Sequence, residues 1–341
     1  MAETGCGDHV GPDGVGMTVL AWLRKRRPEL SWSGCRRLLA SRQVRVNGTV
    51  EVHEARRLKL TDVVSCDDVP TAPPRPKLIR IVHCDDDLVV VEKPTDLVTT
   101  RRPEEQHWPA AKKRLAPTLD ELVAEAIADR RTTSRPRQRT ARSSPPLFRV
   151  QRLDRQTSGL VVFARTDEAA KGLIRQFQEH TVERTYLAVV RGCPESQTIS
   201  IPLVRDRGDG LRGPSRDGRG GQPAVTHVRR LATADGLSLV ECRLETGRTH
   251  QIRIHLCELG TPVCGEPVYR HRLGETASPD TSGAPRLALH AARLGFRHPR
   301  TGERLTFTSP WPDDLAAWIK RTCPALLHSS HLGPRDERRH V

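Results

Sequence analysis

The sequence predicts an α+β chain built on a mixed, largely antiparallel sheet, with a small α/β unit ahead of it. Three observations lead there. Residues 224–228 and 239–244 alternate as half-buried strands do. Residues 294–297 and 305–308 flank a Pro-Arg-Thr-Gly turn, the pattern of a hairpin. Helical periodicity is scattered and never settles into regular strand–helix–strand alternation, which argues against a doubly wound sheet. A chain of 341 residues can bury a sizeable core in one large or two ordinary domains.

Taken in order, residues 1–15 are rich in Gly and Asp without periodicity, so a loose lead-in is expected, with order beginning at Met17. Val19, Leu20 and Leu23 give one apolar helical face, four basic residues follow, and Pro28 closes the element. A second helix is expected with Ser33 as N-cap, Cys35, Leu38 and Leu39 inward, and Arg36, Arg37 and Arg42 outward. Residues 44–48 read as a short strand running into an Asn-Gly turn. The prolines between Pro70 and Pro76 make a stiff linker. Residues 79–82 and 88–94 read as strands around an acidic turn at Asp85 to Asp87. Leu119, Leu122, Val123 and Ile127 have helical spacing, with Asp120 and Glu121 near the N-terminus. Residues 130–146 carry arginine, serine, threonine and proline without apolar periodicity, and a mobile basic loop is expected.

Residues 160–163 read as a buried strand, and 167–178 as an amphipathic helix with Ala170, Leu173, Ile174 and Phe177 on one face. Another strand covers 183–192, and a Gly/Arg-rich loop 208–221. Thr246-Gly247 turns the chain into a helix with Ile252, Leu256 and Leu259 inward and Gly260 at its stop. The expected organisation is a small domain at 16–69, a linker at 70–77, a main domain at 78–320 with the basic insertion at about 130–146, and a polar tail at 325–341.

Lysine and arginine number 56 against 41 acids, a formal charge of +15, so a polyanionic partner is expected, nucleic acid before membrane. No apolar run approaches the ~18 residues that cross a bilayer, and the start of the chain has no signal-peptide apolar region, so a cytoplasmic protein is expected, or an organellar one if the source is eukaryotic. The nine cysteines are scattered, with no Cys-x-x-Cys pair, and read as reduced small hydrophobes. Neither they nor the histidines form a metal pattern, and no metal is expected. His83 and Cys84 adjoin on an expected strand, where successive side chains point to opposite faces, which argues against a Cys/His nucleophile pair.

At 151–160 the chain reads Gln-Arg-Leu-Asp-Arg-Gln-Thr-Ser-Gly-Leu. Asp154 is the only carboxylate there, and none precedes it back to Asp129. Such a carboxylate suits a nucleophile or a proton acceptor. The plain alternative is a turn residue, since Asp beside Thr, Ser and Gly is common turn chemistry. The decapeptide resembles the His-Arg-Leu-Asp-x-x-Thr-Ser-Gly signature of the RluA-type pseudouridine synthases, with Gln151 in the place of His. Matching blocks follow in family order: Arg-Thr-Tyr-Leu-Ala-Val-Val-Arg-Gly at 184–192, Thr-Gly-Arg-Thr-His-Gln-Ile-Arg-Ile-His at 246–255, and Arg-Leu-Ala-Leu-His-Ala at 286–291. The resemblance runs from about Ile79 to Pro312. Residues 16–69 resemble the S4 RNA-binding module, although Met17-Thr18-Val19 departs from its usual Arg-Leu-Asp start.

The resemblance implies an α+β fold of pseudouridine-synthase type and isomerisation of uridine to pseudouridine in structured RNA, ribosomal RNA before transfer RNA, without cofactor or metal. It makes Asp154 the catalytic carboxylate, Arg253 its partner with Arg248 as fallback, and Tyr186 the ring that stacks on uracil and relays the C5 proton, or else a core tyrosine. It implies that Arg152 enters the stack vacated by an extruded base, with Gln151 beside it, and that Ile252 and Leu287 wall the uracil or simply pack the core. Arg36, Arg37 and Arg42 match the phosphate-facing stretch of the S4 module, the alternative being a solvated helix face. Lys93 matches a Lys-Pro strand end, there to reach phosphate or to cap the strand. The basic insertion folds over RNA or is solvated. A monomer is expected. The rival reading is a non-catalytic RNA-binding member of the family acting in ribosome assembly.

Overall fold

The structure, a computed structural model, describes residues 7–60, 62–134, 147–215, 219–276 and 279–328. The chain forms two compact units, Met1–Val182 with Phe296–Phe307, and Glu183–Gly295 with Thr308–Val341.

The first unit opens on β1 (Asp8–His9), α1 (Val19–Arg26), α2 (Trp32–Ala40), β2 (Val44–Val46), β3 (Thr49–Val50) and β4 (Val63–Cys66), whose strands form a four-stranded sheet in the order β1-β4-β2-β3. Thr18 caps α1 by accepting from the Ala21 amide. The second helix starts earlier than its sequence suggests: Ser31, not Ser33, accepts from Gly34 N and is the N-cap. Cys35 and Leu39 are buried and Leu38 only partly, against Val19, Trp22, Leu23 and Val44. Asn47 and Gly48 both have positive φ and turn β2 into β3, as the Asn-Gly pair requires. The expected loose lead-in is ordered from Gly7 on: β1 pairs with β4 and Val10 is buried in this small core. Two paired residues are too few to leave an alternating pattern in the sequence.

Beyond the proline-rich stretch come β5 (Arg80–Cys84), β6 (Leu88–Lys93), α3 (Ala110–Leu115), α4 (Leu119–Ser134), β7 (Phe148–Arg149), β8 (Ser158–Ala164) and α5 (Asp167–Gln178). Antiparallel pairing gives the run β5-β6-β8-β7. Every residue of β8 is buried, which is why 160–163 reads as a continuous apolar run. Burial of Val161, Val162 and Phe163 contributes about 1.5–3 kcal/mol each. In α5 the buried face is Ala169, Ala170 and Leu173; Ile174, expected inward, is exposed because it lies at the flank of that stripe. Gly172 lets α5 approach the turn after residue 297, since a Cβ there would meet Pro299 Cβ at 2.9 Å. The helix α4 carries past the expected start of the basic loop to Ser134, and the rest of that loop, 135–146, lies outside the described residues.

In the second unit β9 (Glu183–Arg191), β10 (Gln197–Ser200), β11 (Val225–Ala234), β12 (Leu237–Leu244), α6 (Gln251–Glu258) and β13 (Leu289–Arg297) follow, with antiparallel neighbours β10-β11-β12-β9-β13. The hairpin partner β14 (Arg304–Thr308), then α7 (Asp313–Thr322) and α8 (Ala325–His328), complete the described chain. The polar tail expected from 325 thus begins as a short helix with Leu326 buried; 329–341 lie outside the described residues. The α+β class with antiparallel sheets stands as expected.

Candidate active site

Asp154 sits in the loop that leads into β8, and the backbone around it is held at successive residues. Thr99 Oγ1 donates to Leu153 O at 2.9 Å and accepts from Leu153 N at 3.2 Å. Thr157 N closes onto Asp154 O at 3.2 Å. Lys93 Nζ donates to Arg155 O at 2.9 Å, and Thr95 Oγ1 to Gln156 O at 2.9 Å. Two residues at the end of β6, Lys93 and Thr95, thereby fix the signature from that side. A side chain whose backbone is bonded on both flanks is preorganised, which is what a reacting carboxylate needs.

This arrangement decides between the two readings of Lys93 and corrects the outward placement of Arg42. Lys93 is buried, 1% exposed, with its ammonium on the carbonyls of Pro94, Leu97 and Arg155 at 2.8–2.9 Å. It caps the strand and holds the loop instead of reaching for phosphate, because carbonyls satisfy its donors in place of water. Arg42 is also buried, not outward, with positive φ and Nη1 donating to Leu115 O at 2.5 Å. The left-handed backbone at Arg42, just past α2, takes its side chain off the exposed helix face. Arg36 and Arg37 do lie exposed; Arg36 pairs with Glu54 at 3.1 Å. Arg152 is exposed, and the buried Nε2 of Gln151 meets no acceptor among the described residues.

Tyr186, Arg248, Ile252, Arg253 and Leu287 belong to the second unit. Tyr186 is on β9, opposite Cys242 of β12 and Ala291 of β13, and is largely buried. Arg253, on α6, is gripped by a carboxylate the sequence reading overlooked: Nε donates to Glu266 Oε2 at 2.7 Å and Nη2 to Oε1 at 2.5 Å. Burial alone would raise the Glu266 carboxyl, but the charge and hydrogen bonds of Arg253 and the amides of Val268 and Tyr269 hold it below the usual range. The Arg253 guanidinium also stands 5.2 Å from the Tyr269 ring centroid, and the Tyr269 hydroxyl shares a hydrogen bond with His250 Nδ1 at 2.7 Å. Ile252 and Leu287 are 4% and 1% exposed, in keeping with the packing alternative. Arg248 Nε donates to Pro223 O at 3.0 Å.

The turn before α6 is built on Gln251. Its Oε1 accepts from Thr246 Oγ1 at 2.8 Å and Arg248 N at 2.9 Å, and its Nε2 donates to Val225 O and Thr226 Oγ1 at 2.9 Å. Thr226 also bonds His255 Nδ1, while His255 Nε2 faces Ile201 O. Gly247 leaves room for Arg184, whose Nη1 a Cβ would meet at 2.9 Å, and Arg184 Nη2 ties down Leu244 O and Glu245 O.

Burial pushes His255 and His290 down to about 4, so both fold neutral. Between that value and the unfolded pKa of about 6.5 the unfolded chain binds more protons, so their contribution is present above pH 6.5 and lost as pH falls toward 4. At pH 4.5 the two together should remove roughly 4–6 kcal/mol of unfolding free energy relative to pH 7. Urea unfolding of the wild type and His290→Gln at the two pH values checks this, since the variant should lose about half of the difference. An equal difference in both would contradict it.

Asp85, Asp87 and His298 of the first unit bring one ligand atom each within 4.8 Å of one another. The hydrogen bonds speak against a metal there. His298 Nδ1 accepts from the amides of Arg300 and Thr301, which leaves the ring proton on Nε2, facing Asp85 Oδ2 at 3.3 Å. Asp87 Oδ2 takes Arg300 Nε at 2.6 Å, and Asp85 takes the amides of Asp87 and Leu88. The cluster staples the β5–β6 turn to the turn before β14.

A model of the RNA pseudouridylate synthase family matches residues 87–258, about half of the chain, including the Asp154 loop, Tyr186 and Arg253. The chain belongs to this family. A ribosomal large subunit pseudouridine synthase D of Neisseria meningitidis is 40% identical over 247 residues, which are 71% of this chain and 60% of that protein. The chain thus spans about three-fifths of the length of that relative. An uncharacterized RNA pseudouridine synthase of Synechocystis is 32% identical across 93% of both chains. Among solved structures, the human RNA pseudouridylate synthase domain containing 1 superposes at a TM-score of 0.51 with 26% identity, over 73% of this chain and 90% of that one.

Within the family frame, the site residues that sequence reading missed are the holders: Thr95, Thr99, Glu266 and Tyr269. The signal for Glu266 was faint, an acid in the Cys-Gly-Glu-Pro turn 13 residues after Arg253. Among the described residues no helix is long and apolar enough to cross a membrane.

Proposed function

We propose that this chain isomerises uridine to pseudouridine in structured RNA, ribosomal RNA before transfer RNA, with Asp154 as the catalytic carboxylate. The observation that carries the reading is the family signature set in a loop whose backbone is fixed at Leu153, Arg155 and Gln156. The reaction breaks the bond from C1′ to N1, turns the enclosed uracil, and joins C1′ to C5; the C5 proton leaves and N1 gains one. Asp154 either traps C1′ covalently or takes the 2′ proton to give a glycal. No electron or group leaves the site, so the scheme calls for no cofactor.

In this reading Arg253 takes the role of the family's active-site arginine, and its bidentate hold on Glu266 keeps its guanidinium oriented. Tyr186 stacks on the uracil and relays the C5 proton. Extruding the base costs roughly a few kcal/mol, and Arg152, which is exposed, is the residue assigned to fill the vacated stack. The Gln151 Nε2, which meets no acceptor among the described residues, is the donor offered to the displaced nucleotide, with Arg248 as a further substrate contact and Ile252 and Leu287 as apolar walls. A monomer working in the cytoplasm goes with this assignment.

The N-terminal helix pair, read as S4-like, supplies phosphate contacts through Arg36 and Arg37. Replacing both by Gln in the full chain should weaken RNA binding and flatten the dependence of log Kd on log salt by about 1–2. An unchanged slope would contradict that role. Mapping pseudouridines in ribosomal and transfer RNA from cells with and without the gene tests the activity itself. Loss of specific pseudouridines supports it, and an unchanged map accompanied by ribosome assembly defects would favour the non-catalytic rival.

A further inference from the structure

The loop that carries Asp154 is held from a second side, by the N-terminal sheet. Arg155 Nη2 donates to Val50 O at 2.6 Å, while its Nε is fixed by Asp96 Oδ1 at 3.0 Å. Gln156 Nε2 lies 3.1 Å from both Asn47 O and Thr49 Oγ1. These two residues fill the unspecified positions of the signature, directly after the carboxylate, and all their partners on the other side belong to the β2–β3 hairpin. Further contacts seat that small domain: Arg42 on Leu115 O, Thr71 N on Ser41 O, and the His53 and Trp108 rings, 5.3 Å between centroids.

We propose that the β2–β3 hairpin braces the catalytic loop, and that Arg155 and Gln156 are positioning residues for the isomerisation. The N-terminal domain then acts on the rate of the chemical step as well as on RNA capture. This rests on Asp154 being the reacting group. A carboxylate that attacks C1′ or takes a neighbouring proton must hold its place to within about 0.5 Å, and a misplacement of about 1 Å costs about a hundredfold. Arg155 spans an acid on one edge and a carbonyl on the other, which a single lysine ammonium cannot reproduce.

The test uses full-length Arg155→Ala, Arg155→Lys, Gln156→Ala, Thr49→Val and the Thr49→Val/Gln156→Ala pair. Single-turnover rates, RNA affinity, and amide hydrogen exchange at Leu153 and Thr157 are measured. The expected result is a rate lowered roughly ten- to hundredfold in Arg155→Ala, with RNA affinity unchanged, the Lys variant recovering only part, and loop amides exchanging faster. The double variant should be no slower than Gln156→Ala alone, because both changes remove the same hydrogen bond. Should Arg155→Ala fail to fold, Asp96→Asn loosens the same guanidinium from the other side and carries the same expectation. Wild-type rates and unchanged exchange in these variants would overturn the brace, as would lost RNA affinity with an intact rate. Absence of turnover in the wild type would sink the catalytic reading instead, and loop exchange in the same variants would still judge the brace.

Discussion

Glu266→Ala is expected to destabilise the folded chain by about 3–5 kcal/mol, because it strands a buried guanidinium. Arg253 and Glu266 are 3% and 2% exposed, and the carboxylate also accepts from the amides of Val268 and Tyr269 at 2.9 and 3.1 Å. The substitution therefore removes the carboxylate that Arg253 and the two amides share. Glu266→Gln should cost less, since an amide oxygen still accepts while the charge is lost. Urea unfolding of the full chain reads both. The exposed pair Lys171–Asp167 is the internal comparison, where Lys171→Ala should barely move the unfolding midpoint, because solvent screens the pair. If Glu266→Ala moved the unfolding midpoint no more than Lys171→Ala does, the role given to the buried pair would be wrong. Because Arg253 also serves the proposed chemistry, the Gln variant should lower turnover even where it folds.

Asp154→Asn is expected to abolish pseudouridine formation, by at least about 10³-fold in single-turnover rate, while RNA affinity changes less than about twofold. The amide is isosteric, so the loop, which is held through backbone carbonyls, keeps its course. What it loses is the ability to bond C1′ as an anion or to take a proton, and either scheme needs one of these. Binding energy comes mostly from phosphate contacts elsewhere, which the substitution does not touch. Activity equal to wild type would remove Asp154 from the mechanism.

How much of this was legible follows from where the determining contacts lie. Local, repetitive signals were readable: α5 runs over the expected residues because its apolar stripe is clear and Thr166 caps it, and the Asn47-Gly48 turn needs only its own two residues. The signature loop could be located because its pattern is contiguous. For Lys93 two readings stood open, phosphate contact or strand cap, and what decides for the cap is the meeting of three carbonyls, one of them 62 residues away. Arg42 was misplaced for a related reason, as helical periodicity does not extend to a residue with left-handed backbone. Glu266 lies in an irregular stretch with no period to assign it a direction, and β1 is too short to show one. The Arg155 and Gln156 contacts reach more than 100 residues back, beyond any pattern a local reading uses.

The central claim is that this chain makes pseudouridine, and the most direct measurement is conversion by the purified full-length protein of RNA lacking the modification, with chelator present. The account predicts site-specific pseudouridine accumulating toward one per target uridine. Tight RNA binding with no uridine converted in any ribosomal or transfer RNA would contradict it.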